Sequence, residues 1–288
     1  MASSAISSFE ISNLTPKCGS LISGLNLSKD LTNRQLAEIQ QALLDRTVVV
    51  FRDQNLTEKQ HIAIANKFGK PQDSSRAAFG KLPEYPQIDV LESSETQPPH
   101  GTRDLWHTDF AGTEKPSMGT LLYAREIPFE GGDTIWVNTI AAYEALSERM
   151  KAHIDGLHAY HDNFQPYGEH ANPGLWEGEN FEYNKKIRAT YRPPLHPVVR
   201  THPVTGKKGL FVNESMTTFI DGIDRRESDF LLRYLFDHIR APEFQYRHKW
   251  KVNDLVIWDN RLSVHYALFD YKEHRLLHRI VLEGDKPF

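Results

Sequence analysis

The sequence predicts an α+β fold, one domain in which helices pack on a mainly β core, and three observations carry that prediction. The second half of the chain is a succession of short β-forming runs, "SMGTLLYAREI", "DTIWVNT", "LFVNE", "LVIWDN" and "RIVLEGD", each bounded by Gly, Asp, Asn or Pro, as strands of a sandwich or roll are. Helical text with apolar residues three and four apart lies around these runs, in "TIAAYEALSERMKAHIDGL" and "RRESDFLLRYLFDHI". No fixed-period repeat, low-complexity tract or Pro/Gly/Ser linker divides the 288 residues.

The elements follow in chain order. "LTNRQLAEIQQALLDR" places Leu36, Ile39, Leu43 and Leu44 on one helical face behind a Thr32-x-x-Gln35 capping box. "TVVVF", Thr47 to Phe51, is a β-branched run suited to a buried strand. A second helix starts at the Thr57-x-x-Gln60 box and stops at Gly69. Between 70 and 105 the composition turns to Pro, Ser, Gly and charge, interrupted only by the strand-like "QIDVLE". A long loop is expected there, a candidate lid that leads straight into "WHTDF". Later, "RRESD" at Arg225 to Asp229 reads as the solvated start of a helix.

Charge and composition exclude several functions. With 34 basic and 38 acidic residues the net charge is -4, which supplies no polybasic field for nucleic acid. The single cysteine, Cys18, cannot form an intramolecular disulfide, and "MASSAISSFEIS" lacks the basic and apolar regions of a signal peptide. No apolar run reaches the roughly 18 residues that span a bilayer. A cytoplasmic protein with no membrane association is expected.

The chemistry centres on "WHTDF". One residue separates His107 from Asp109, so on an extended segment both side chains project to one face and could share a metal. A second histidine would complete the His, carboxylate, His facial set suited to non-heme Fe(II). His265, in "WDNRLSVHYALFDY" at the end of an apolar strand, is the candidate. His-x-Asp alone is common among 14 histidines, so two polar residues on a surface loop is the competing reading. Arg275 and Arg279, four apart just downstream, could hold a dicarboxylate by bidentate pairing, or could be strand-edge surface groups. Trp106, Trp250 and Trp258 are candidate cavity walls or plain core. His158 and His161 in "HAYHD" have metal-like spacing but read as structural or surface groups.

Taken in order, "WHTD", "GGDTIWVNTIAAYEAL", "PPLHPVVRTHPVTGKKGLFVNE", "WDNRLSVHYA" and "HRIVLEGDKPF" resemble the taurine dioxygenase family of Fe(II)- and 2-oxoglutarate-dependent oxygenases, from about residue 9 to the C-terminus. The resemblance implies a distorted double-stranded β-helix (jelly-roll) core with flanking helices. It implies His107, Asp109 and His265 as iron ligands, Thr134 of "GGDT" on 2-oxoglutarate, and Arg275 on its distal carboxylate. Arg279 matches an arginine that serves the substrate sulfonate in the taurine enzymes and the co-substrate in some relatives. The implied cofactor is Fe(II), with 2-oxoglutarate and O2 as co-substrates and a homo-oligomer as the assembly.

Departures bear on substrate. The stretch "KPQDSSRAAFG" has neither the His nor the Tyr that meets taurine. Arg103 stands where those enzymes have an amide, and Met216 where they have an aromatic, while Tyr167 keeps an aromatic. These three and Arg279 are the candidate substrate contacts. The expected substrate is a small organic anion, an alkylsulfonate or alkyl sulfate that is hydroxylated with release of sulfite or sulfate. An aryloxyalkanoate or a secondary-metabolite carboxylate is the alternative. From another class, a non-catalytic β-roll could bind an anion in the same pocket.

Overall fold

Side chains that alternate along the central strands sort themselves onto two faces. Val49 and Phe51, Leu121 and Tyr123, Leu255 and Ile257, and Ile280 and Leu282 point to one cluster, which Ile39, Leu43 and Ile64 of two helices cover. Val48 and Val50, Leu122 and Ala124, Val256 and Trp258, and Leu277 point to the other, where they meet Trp136 of a second sheet. Burial on both faces contributes roughly 1.5–3 kcal/mol per large apolar side chain and fixes register, since a slip of one residue would exchange the faces.

The structure, a computed structural model, describes residues 9–72, 80–95, 105–167 and 179–288. Its strands are β1 (Glu10–Asn13), β2 (Ser20–Ser23), β3 (Val48–Phe51), β4 (Gly80–Leu82), β5 (Tyr85–Ser93), β6 (Gly119–Glu126), β7 (Thr134–Asn138) and β8 (His158–His161), followed by β9 (Leu195–Pro197), β10 (Val199–Thr201), β11 (Lys208–Leu210), β12 (Thr217–Ile220), β13 (Gln245–His248), β14 (Leu255–Asp259), β15 (Ser263–Ala267) and β16 (Arg275–Leu282). The helices are α1 (Asn33–Arg46), α2 (Glu58–Phe68), α3 (Thr139–Glu144), α4 (Glu148–Ile154), α5 (Phe164–Tyr167), α6 (Glu179–Thr190) and α7 (Arg225–Ile239). The large sheet runs β1-β2-β3-β14-β6-β16-β5-β4, and smaller sheets run β13-β7-β15, β12-β8-β9 and β10-β11. Pairing is antiparallel except between β2 and β3. The result is a jelly-roll core with helices outside it. Among the described residues no helix is long and apolar enough to cross a membrane.

Local signals act as the sequence suggests. Thr32 Oγ1 accepts from the Gln35 N–H while Gln35 Oε1 accepts from the Thr32 N–H, and Thr57 and Gln60 do the same at α2. Asp224 caps α7, with Arg225 and Asp229 paired on its solvated first turn.

Three expectations are corrected. The run from Thr139 to Leu157 holds two helices, because Ser147 accepts from the Met150 N–H and starts α4 afresh. Only Leu210 of "LFVNE" lies in a strand. Asn213 instead accepts from the Met216 N–H in a turn. The 70–105 segment holds the strand expected at "QIDVLE", as β5 paired with β16, and also one that was not expected, β4, which pairs with β5 at the edge of the large sheet. The remainder of the expected lid, 73–79 and 96–104, lies outside the described residues.

Candidate active site

A single antiparallel bridge joins two distant histidines. The His107 N–H donates to the His265 carbonyl at 2.9 Å and the His265 N–H donates back to the His107 carbonyl at 2.8 Å, which sets their rings 4.1 Å apart. His265 is held on β15, paired to β7, and its ring lies 5.1 Å from that of Trp258. Thr108 turns away to donate to the Ser263 carbonyl at 2.8 Å, so Asp109 returns to the side of His107 before Phe110, at φ 58°, bends the chain off. One ligand atom from each of His107, Asp109 and His265 lies within 4.8 Å of the other two.

Polar groups behind Asp109 orient it. Its Oδ2 accepts from Thr120 Oγ1 at 2.8 Å. Asn260 Nδ2 donates to both Ser117 Oγ, at 2.8 Å, and Thr120 Oγ1, at 2.9 Å, while Asn260 Oδ1 accepts from Trp258 Nε1. Burial works against the charge on Asp109, but His265, Arg279, His107 and the Thr120 hydrogen bond outweigh it and hold the carboxyl down at about 2. Burial pushes the His265 imidazole down to about 3, so it is neutral at physiological pH. His107 Nδ1 lies 2.9 Å from the Leu105 carbonyl. As donor there, it leaves the Nε2 lone pair for a ligand. Two imidazoles and a carboxylate, with His107 and Asp109 oriented by hydrogen bonds and His265 by the Trp258 ring, suit a divalent transition metal such as Fe(II).

The "GGDT" motif and β16 build the adjoining pocket. Gly131 and Gly132 adopt φ of 77° and 68°, which brings the Gly132 carbonyl to Arg275, whose Nη2 donates to it at 3.1 Å. Thr134 follows at the start of β7 and accepts from Trp250 Nε1 at 3.0 Å, leaving its own hydroxyl proton to donate. Arg275 is only 5% exposed and lies 5.7 Å from the Tyr271 ring centroid, yet its Nε has no partner and it makes no ion pair among the described residues. Burial pushes its guanidinium below the usual arginine range, with Tyr271 and Asp133 opposing. A buried guanidinium without an ion pair is costly, and a carboxylate-bearing ligand would satisfy it.

Arg279 shares the same side of β16 but differs in its surroundings. Its Nε and Nη2 donate to Asp89 Oδ2 at 3.1 and 2.9 Å, and its Nη1 lies 3.4 Å from Asp109 Oδ1.

The remaining candidates divide. Trp258 backs His265, Trp106 packs on Tyr266 with ring centroids 5.3 Å apart, and Trp250 combines a core position against Trp136 with its bond to Thr134. Met216 is buried, with its N–H on Asn213 and its carbonyl accepting from Asp162. Arg103 lies outside the described residues, as does the side chain of Tyr167 at the end of α5. His158 and His161 are three apart on β8 and face opposite ways, the first exposed and the second buried against His196 and Phe211, so they cannot share a metal. Sequence reasoning missed Asp89, Thr120, Ser117 and Asn260. The one signal available was an acidic residue inside the apolar run "QIDVLE".

Residues 10–281 match the family described as "Taurine catabolism dioxygenase TauD, TfdA family". The chain is similar to an "Alkylsulfatase" of Acinetobacter baylyi, 34% identical over 280 residues that span 96% of this chain and 85% of the relative. It is also similar to an "Alpha-ketoglutarate-dependent 2,4-dichlorophenoxyacetate dioxygenase" of a Burkholderia species, 31% identical over 277 residues, 91% of this chain and 90% of that one. The crystal structure of a "Taurine Dioxygenase" from Burkholderia xenovorans superposes with a TM-score of 0.82 at 33% identity, covering 98% of this chain and 91% of that chain. The chain belongs to the TauD, TfdA family of dioxygenases, enzymes that use Fe(II), 2-oxoglutarate and O2.

Proposed function

We propose that His107, Asp109 and His265 hold Fe(II), that Arg275 and Thr134 hold 2-oxoglutarate, and that the enzyme hydroxylates a small organic anion, an alkylsulfonate or alkyl sulfate. The observation that carries the reading is a convergent His, Asp, His set together with a buried arginine, Arg275, that makes no ion pair among the described residues. When bound, iron and 2-oxoglutarate supply the oxidising chemistry, in which O2 is consumed, 2-oxoglutarate becomes succinate and CO2, and one oxygen enters a substrate C–H bond. A substrate hydroxylated on the carbon that bears sulfonate or sulfate collapses to an aldehyde with loss of sulfite or sulfate.

The chain's own residues provide orientation. Asp109 stays ionised, with one carboxylate oxygen fixed by Thr120 and the other facing His265 and Arg279. The Arg275 guanidinium offers charge and a planar fork to a carboxylate, and the Thr134 hydroxyl adds a donor. Trp258 packs on the His265 ring and limits water beside it.

The similarity to an alkylsulfatase supports a sulfate or sulfonate substrate. The similarity to a 2,4-dichlorophenoxyacetate dioxygenase favours a second reading, an aryloxyalkanoate. The setting we expect is the cytosol, with the chain assembled as a homo-oligomer. The test is succinate release from 2-oxoglutarate with Fe(II), ascorbate and O2 across a panel of alkylsulfonates, alkyl sulfates and aryloxyalkanoates. Stimulation of about tenfold or more by a sulfonate or sulfate, with sulfite or sulfate released in equal amount, is expected. Stimulation by aryloxyalkanoates alone would select the second reading, and no release from iron-loaded protein would leave a non-catalytic anion-binding roll.

A further inference from the structure

We propose that Asp89 is a specificity-determining residue: by holding Arg279 in a buried ion pair, it weakens the pocket's pull on a small, hard anion, so that recognition leans on the apolar part of the substrate. The proposal rests on the reading of the space before His107, Asp109 and His265 as the substrate's.

Asp89 lies directly opposite Arg279 in the β5–β16 ladder and has no solvent exposure. Its Oδ2 takes both the Nε and the Nη2 protons of the guanidinium, which is the edge that would otherwise grip a sulfonate or carboxylate with two prongs. The opposite edge points Nη1 at Asp109 Oδ1. An incoming anion therefore meets an arginine already shared by two carboxylates, whereas Arg275, four residues along the same strand, makes no ion pair among the described residues.

Stability alone does not account for the pair. A buried ion pair is often no more stable than apolar residues of similar size, and the neighbours of Asp89 are Ile88, Val90 and Leu91. What a carboxylate supplies here, and a valine would not, is a counter-charge on Arg279.

The experiment uses the full chain loaded with Mn(II) and N-oxalylglycine, a complex that cannot turn over and whose co-substrate site is filled. Methanesulfonate, an anion with almost no apolar body, is titrated in by calorimetry. Asp89→Asn is expected to bind it at least tenfold more tightly than the wild type, and the gain is expected to vanish in the Asp89→Asn, Arg279→Gln double variant. Unchanged or weaker binding by folded Asp89→Asn overturns the proposal, as does a gain that persists in the double variant. Should Asp89→Asn fail to fold, Asp89→Ser removes the same charge with a smaller side chain and is read the same way. Because no turnover is involved, a wild type inactive on every sulfonate and sulfate would sink the functional reading without deciding this outcome.

Discussion

In the proposed iron site Asp109 is the carboxylate ligand, and its surroundings orient it before any metal arrives. Thr120 is its one short side-chain hydrogen bond, and the Asn260 amide, at 3.5 Å, is a poor substitute. Thr120→Val keeps the shape and removes the donor. It is expected to weaken Mn(II) affinity by about 10- to 100-fold, in line with the loss of other outer-shell partners of metal ligands. The measurement is metal titration beside a thermal melt. Affinity equal to wild type would mean that Arg279 alone orients the carboxylate.

Strands β6 and β14 carry that arrangement as a unit, since β6 supplies Thr120 and β14 supplies Trp258 and leads into Asn260. They approach closely at Gly119, where an added Cβ would stand 2.7 Å from the Trp258 carbonyl oxygen. Gly119→Ala must push the strands apart. A cost of roughly 1–3 kcal/mol is expected, typical of overpacking, together with weaker metal binding. An unshifted melting temperature would show that the strands part freely.

The same element scale shows what the sequence could disclose. The period-two runs and the two threonine capping boxes announced β3, β6, β7, β14, α1 and α2, because their causes are local. His107 and Asp109 stood out by residue type and short spacing. His265, 158 positions on, was found by its place at the end of an apolar strand and by the ordered motifs around it, and the structure brings the three together. Asp89, Thr120 and Asn260 were not legible, because each is a lone polar residue whose meaning comes from a partner strand, and pairing across a sheet leaves no trace in spacing. The break between α3 and α4 was hidden for another reason: the apolar pattern runs through Ser147, and only the cap reveals the restart.

Across the whole molecule, buried neutral histidines set the response to acid. Burial pushes His61 and His161 down to about 3 and His196 to about 4, far from the ordinary imidazole value of 6.5. The unfolded chain takes up these protons as pH falls below 6.5, while the folded chain does not until pH 4 to 3. Stability is therefore fully present above 6.5 and declines through that window. At pH 5 each histidine accounts for up to about 2 kcal/mol. Together the three account for up to about 6 kcal/mol, so melting is expected to fall by as much as roughly 12–24 °C between pH 7 and 5 in the metal-free protein, given about 2–4 °C per kcal/mol for a large domain. A flat profile over that range would mean that these imidazoles are hydrated in the fold.

The backbone bridge between His107 and His265 also has a bearing on biosynthesis. The two residues stand 158 positions apart, so a ribosome must extend the chain through His265 before the bridge can close. Until then, His107 and Asp109 offer an incoming ion only a two-point hold. In the proposed site iron loading is thereby a late event in the life of the polypeptide, and a truncated product ending before β15 would carry most of the sheet yet lack the third member of the set.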